Sequence, residues 1–80
     1  MQKTVIIYST PTCHFCQQAK EFFTEKGVEF TNHDVSADTE KRAEMIKLTG
    51  QLGVPVLVIG GDVLIGFSRS KVAEKLGIEV

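Results

Sequence analysis

Thr10-Pro11-Thr12-Cys13-His14-Phe15-Cys16 holds the chain's only two cysteines, three positions apart, directly behind the apolar run Thr4-Val5-Ile6-Ile7-Tyr8. Behind it comes Gln17-Gln18-Ala19-Lys20-Glu21-Phe22-Phe23, with apolar residues at helical spacing. The order is strand, short turn, cysteine pair, helix, which puts Cys13 at the helix N-terminus. Backbone N–H groups there lack intrahelical partners, and the helix dipole favours negative charge. A thiolate at that point is stabilised, so its pKa falls below the free value of about 8.5.

The two thiols are not equivalent. On a helix Cys16, Ala19 and Phe23 share one face, and that face carries aromatic bulk to be buried. Cys16 is expected under the helix and Cys13 at its open end, so Cys13 is the nucleophile and Cys16 the resolving thiol. A fall in pKa from about 8.5 to about 6 raises the thiolate fraction at pH 7 roughly 30-fold. Intrinsic nucleophilicity drops about 13-fold over the same interval, for a net gain of only about twofold. The larger effect is on redox poise, because a stabilised thiolate favours the reduced dithiol. His14 has two readings: a group that tunes the thiol by hydrogen bond or charge, or an exposed turn residue without a role.

The chain has 80 residues and a net charge of −1, which describes one small globular domain, residues 1–80. No run approaches the ~20 apolar residues of a membrane span. Thr4–Tyr8 is too short for a signal-peptide core, so the expected location is the cytoplasm, where paired thiols are more often catalytic than structural. Lys and Arg are scattered, which argues against nucleic acid. A structural disulfide across so short a loop contributes only about 2 kcal/mol. Zinc needs four ligands, and His33 sits apart from the cysteines and His14.

Thr4–Tyr8 reads as a buried strand, and a helix from Cys13 to Lys26 stops at Gly27. Val28–Val35 reads as a second, more exposed strand. A second helix follows, with Ser36 or Asp38 as its cap and Gly50 at its end. Val54–Ile59 and Val63–Ile65 flank Gly60-Gly61-Asp62 as a hairpin, and Ser68 can cap a last helix, Arg69 to Leu76, closed by Gly77. The order β-α-β-α-β-β-α predicts an α/β fold: a right-handed parallel crossover, then an antiparallel hairpin, in a four-stranded mixed sheet. The unbroken apolar run after Pro55 marks a central strand, with helices on both faces.

Taken together, Cys13-His14-Phe15-Cys16 after the first strand, Thr49-Gly50-Gln51 ahead of Val54-Pro55, and Ile65-Gly66-Phe67 before the last helix resemble the glutaredoxins, a family with the thioredoxin fold. The likeness covers essentially the whole chain. It implies a dithiol–disulfide oxidoreductase, a monomer that binds no cofactor and takes disulfide-containing proteins as substrates. It also implies a cis Val54–Pro55 bond whose preceding backbone pairs with an extended substrate. Thr10, Pro11, His14 and Phe15 then flank the reactive sulfur. Phe22, Phe23 and Phe30 read as core, whereas Phe15 and Phe67 have two readings, an apolar platform near the sulfur or single exposed aromatics without a role.

The resemblance divides over the reductant. Glutathione-using relatives commonly carry Lys three residues before the first Cys, where this chain has Thr10. They place acids near the start of the last helix, where this chain has Ser68-Arg69-Ser70-Lys71. Gln51, the Val54 backbone and the Ser68 helix N-terminus could still hold a carboxylate, which keeps glutathione as a co-substrate. Gly66-Phe67 resembles instead the NrdH-type redoxins, which are reduced by thioredoxin reductase and serve ribonucleotide reductase. That likeness favours a flavin-dependent thioredoxin-reductase-type partner. Some relatives of another class hold an iron–sulfur cluster through the first Cys and glutathione, commonly with one active-site Cys where this chain has two.

Overall fold

A computed structural model describes residues 4–51 and 53–78. Its elements are β1 (Val5–Ser9), α1 (His14–Glu25), β2 (Thr31–Asp34), α2 (Thr39–Thr49), β3 (Val56–Ile59), β4 (Asp62–Ile65) and α3 (Arg69–Leu76). The sheet order is β2-β1-β3-β4. β1 runs parallel to β2, with Tyr8 opposite His33, and antiparallel to β3, with Tyr8 opposite Val56. β4 closes the antiparallel hairpin, Val56 facing Ile65. This is the expected four-stranded mixed sheet in the thioredoxin fold.

β3 is apolar at every position and β1 at every position before its last, Ser9, because both faces of the sheet are covered. Val5, Ile7, Leu57 and Ile59 meet Ala19, Phe22 and Phe23 of α1 and Val72 and Ala73 of α3. The alternate residues Ile6, Tyr8, Val56 and Val58 meet Met45 of α2 and Val35. Full burial of Phe22 and Phe23, each 0% exposed, stabilises the fold by roughly 1.5–3 kcal/mol apiece. Tyr8 is as deeply buried, at 1% exposure, so its hydroxyl needs a partner. It donates to Glu44 Oε1 at 2.7 Å, from sheet to α2.

Several boundaries differ from the sequence reading, β1 among them, which runs Val5–Ser9 and not Thr4–Tyr8. β2 begins at Thr31, not Val28, because Val28 N–H closes the end of α1 on Phe23 C=O (2.8 Å). β3 begins at Val56, after the proline, which has no N–H for the ladder. Asp62 belongs to β4, so the turn is Gly60-Gly61, at φ 56° and 92°. Positive φ at both central residues gives the twist that a two-residue hairpin loop needs, and glycine adopts it without steric cost. Cys13 and Lys26 flank α1 and do not lie within it. Asp38, not Ser36, caps α2, its carboxylate accepting the Lys41 N–H at 3.1 Å; Ser36 is engaged by Asp34. Ser68 stands at the cap position of α3 but its side chain makes no capping bond.

Candidate functional site

The site grows from the C-terminal end of β1. Ser9, 1% exposed, is pinned on both sides: its Oγ donates to Asn32 Oδ1 (2.6 Å), and its C=O accepts the Val35 N–H (2.9 Å). From this anchored strand end the chain turns, and the Cys13 N–H donates to the Thr10 C=O at 3.2 Å. Cys13 is the N-cap residue of α1, with extended backbone at φ −81° and ψ 114°. Its Sγ accepts the Cys16 N–H at 3.2 Å, the bond that a Ser or Asp side chain makes at other helix caps.

The first turn of α1 contains no acid, so the sulfur is the acceptor that meets the free N–H groups and the positive end of the dipole. Cys16 lies fully under the helix, 0% exposed, on the face shared by Ala19, Phe22 and Phe23. Cys13 is only partly covered. The two are joined as a disulfide with a Cα–Cα separation of 5.1 Å. Two thiols three residues apart, one capped and accessible and the other buried, suit an exchangeable pair better than a structural staple.

His14 lies at the exposed start of α1 and pairs through Nε2 with Gln18 Nε2 at 3.1 Å, one helical turn on, rather than with sulfur. Phe15 is 57% exposed beside it, its ring edge-on to that of His14. The Val54–Pro55 bond is cis. The Pro55 C=O accepts the N–H of Gly66 (2.8 Å), which joins the loop before β3 to the bend before α3. Gly66 has φ 85°, a left-handed conformation that releases the chain from β4 toward α3. Phe67 turns inward, edge-on to Phe22 at 5.8 Å, so core packing is its main contact.

Thr10 and Val54 come together in one cleft of ≈ 320 Å³, completed by Val35, Ser36, Arg42 and Met45. Gly66, Phe67 and Ser68 line a different cleft along β4, with Lys71 at its side. Pro11 is exposed next to Thr10, and Gln51 is exposed on the loop that Thr49 braces through its Oγ1. Arg42 was not among the residues singled out from sequence. It makes no ion pair among the described residues, and it is the cleft's one charged side chain. No local signal marks it: Arg42, four residues into α2 after the Asp38 cap, reaches the cleft only because α2 packs on the Val54 side of the sheet.

Among the described residues there is no cluster of three or more His, Cys, Asp or Glu placed to hold a metal, and no helix long and apolar enough to cross a membrane.

Comparison with known proteins agrees with this geometry. The family model described as Glutaredoxin matches residues 5–64. The chain is 41% identical over 66 residues to an uncharacterized glutaredoxin-like 8.6 kDa protein in the rubredoxin operon of Clostridium pasteurianum, covering 82% of this chain and 88% of that one. It is 40% identical over 55 residues to glutaredoxin 3 of Escherichia coli K12, covering 69% and 66% of the two chains. Among solved structures it resembles the thioredoxin-like protein BC3987 (TM-score 0.85, 29% identity, 91% of this chain and 100% of that one). It also resembles a glutaredoxin of Archaeoglobus fulgidus (TM-score 0.80, 25% identity, 90% and 84% covered). On this sequence match and this fold, with the cysteine pair at the start of α1, the chain belongs to the glutaredoxin family.

Proposed function

We propose that the protein reduces disulfides in the cytoplasm by dithiol exchange, and the observation that carries this is the Cys13 sulfur at the α1 cap beside a buried Cys16. The Cys13 thiolate attacks one sulfur of the substrate disulfide. A mixed disulfide forms, and the other substrate sulfur leaves as a thiolate that takes up a proton. Cys16 then loses its proton and attacks the Cys13 sulfur, which releases the second substrate thiol. Two electrons have passed from the cysteine pair to the substrate, and the Cys13–Cys16 disulfide remains. The Val54 backbone, directly before Pro55, pairs with the substrate chain, and Thr10, Pro11, His14 and Phe15 form its rim.

The oxidised pair is reduced again by a flavin-dependent enzyme of the thioredoxin-reductase type. This preference rests on Thr10 in place of a cation and on the basic Ser68-Arg69-Ser70-Lys71 segment, where the ammonium of glutathione would find no acid. A second reading, glutathione as the donor, is favoured by Arg42, which offers a carboxylate partner in the Thr10–Val54 cleft. Gln51 and the N-terminus of α3 at Gly66-Phe67-Ser68 would hold the rest of that ligand. The two donors separate in one comparison: NADPH oxidation with thioredoxin reductase, against NADPH with glutathione reductase and glutathione. Fast turnover is expected in the first system. Fast turnover only in the second contradicts the preferred donor, and none in either contradicts disulfide reduction itself.

A further inference from the structure

The groove between α1 and α3 takes no part in the exchange steps above. It measures ≈ 390 Å³ and is lined by Gln18, Glu21, Phe22, Glu25, Phe67 and Arg69. The four α1 residues stand at i, i+3, i+4 and i+7 and form one stripe along the helix. At the head of the stripe Gln18 is bonded to His14, the residue after Cys13, so the stripe reaches back to the first turn of α1. Its floor is aromatic, with Phe67 edge-on to Phe22.

The charges in the groove do not cancel. Arg69 is engaged within the fold, its guanidinium 4.7 Å from the centre of the Phe22 ring and 3.9 Å from Glu25. Lys26 sits 5.9 Å from the same ring centre but does not line the groove. Glu21 is exposed and makes no ion pair among the described residues. Two acids and one base leave this groove negative, whereas the Thr10–Val54 cleft carries the single cation Arg42.

We propose that this groove docks the polypeptide carrying the substrate disulfide, and that Glu21 receives a basic side chain of that polypeptide. The inference rests on the disulfide-reduction reading and names its substrate class. Eight residues separate Cys13 from Glu21, about 12 Å along a helix axis. An extended chain covers that distance in three or four residues. The preferred substrate is therefore an extended segment with Lys or Arg three or four residues from its cysteine, and a small disulfide gains nothing from the groove.

The test uses the full chain, reduced beforehand, mixed with excess of two symmetric peptide disulfides that differ only in Lys or Glu four residues from cysteine. Single-turnover rate constants are read by acid quench and mass spectrometry. The Lys peptide should react about three- to fivefold faster than the Glu peptide, the effect of one exposed ion pair. Salt at 0.5 M should bring the ratio close to one, and Glu21→Lys should invert it. Equal rates for the two peptides at low salt, or a ratio that Glu21→Lys leaves unchanged, overturn the docking assignment while disulfide reduction stands. Failure of the reduced protein to react with either peptide overturns both.

Discussion

Tyr8 shows at the residue scale how one side chain can couple sheet to helix. Burial raises the pKa of its phenol to about 12, and the hydrogen bond and negative charge of Glu44 push it the same way. Glu44 moves in the opposite direction, its carboxyl lowered first by that same bond and next by the one from Lys41. The neutral phenol is therefore bound more tightly in the folded chain than in the unfolded one. The stability this provides is fully present below pH 10 and is lost as pH rises through about 12. Tyr8 is the only tyrosine and there is no tryptophan, so tyrosinate absorbance reports on it alone. Its titration midpoint should lie near 12 while the chain stays folded, and Glu44→Gln should lower it. A midpoint at the ordinary value of about 10 would show that the phenol is not held as described.

Two helices of similar appearance in sequence start differently, and their caps give a prediction at the scale of the element. Asp38 holds the Lys41 N–H at 3.1 Å, whereas Ser68 makes no side-chain capping bond. Asp38→Ala should cost about 1 kcal/mol in urea unfolding. Ser68→Ala should cost no more than a few tenths of that; a loss as large as for Asp38 would mean that the hydroxyl caps α3 after all. The kind and order of every element were legible beforehand, because the β1 and β3 runs, the Gly60-Gly61 turn and the Gly27, Gly50 and Gly77 stops are local signals. Cap identity was less so. Ser36 and Asp38 are both good caps in isolation, and only the competing claim of Asp34 on Ser36 decides between them.

Across the whole molecule, the sheet order brings together what the sequence keeps apart. The ends of β1, β3 and β4 meet, so Thr10, Val54, Pro55 and Gly66 become neighbours, joined by the bond from Gly66 to Pro55. The cysteine pair was readable because strand, turn and helix start are contiguous. Arg42 and the α1–α3 groove were not, since each exists only once distant segments pack. Phe67 was ambiguous for the same reason, and its contact with Phe22 is tertiary. The central claim is that this assembly leaves Cys13 capped, accessible and ionised near neutral pH, with Cys16 sealed beneath it. It is tested most directly by alkylating the reduced protein with limiting iodoacetamide across a pH series and locating the modified residue by mass spectrometry. The account predicts modification at Cys13 alone, with a rate midpoint below about 7.5. Modification at Cys16, or a midpoint at the free-thiol value of about 8.5, would contradict it.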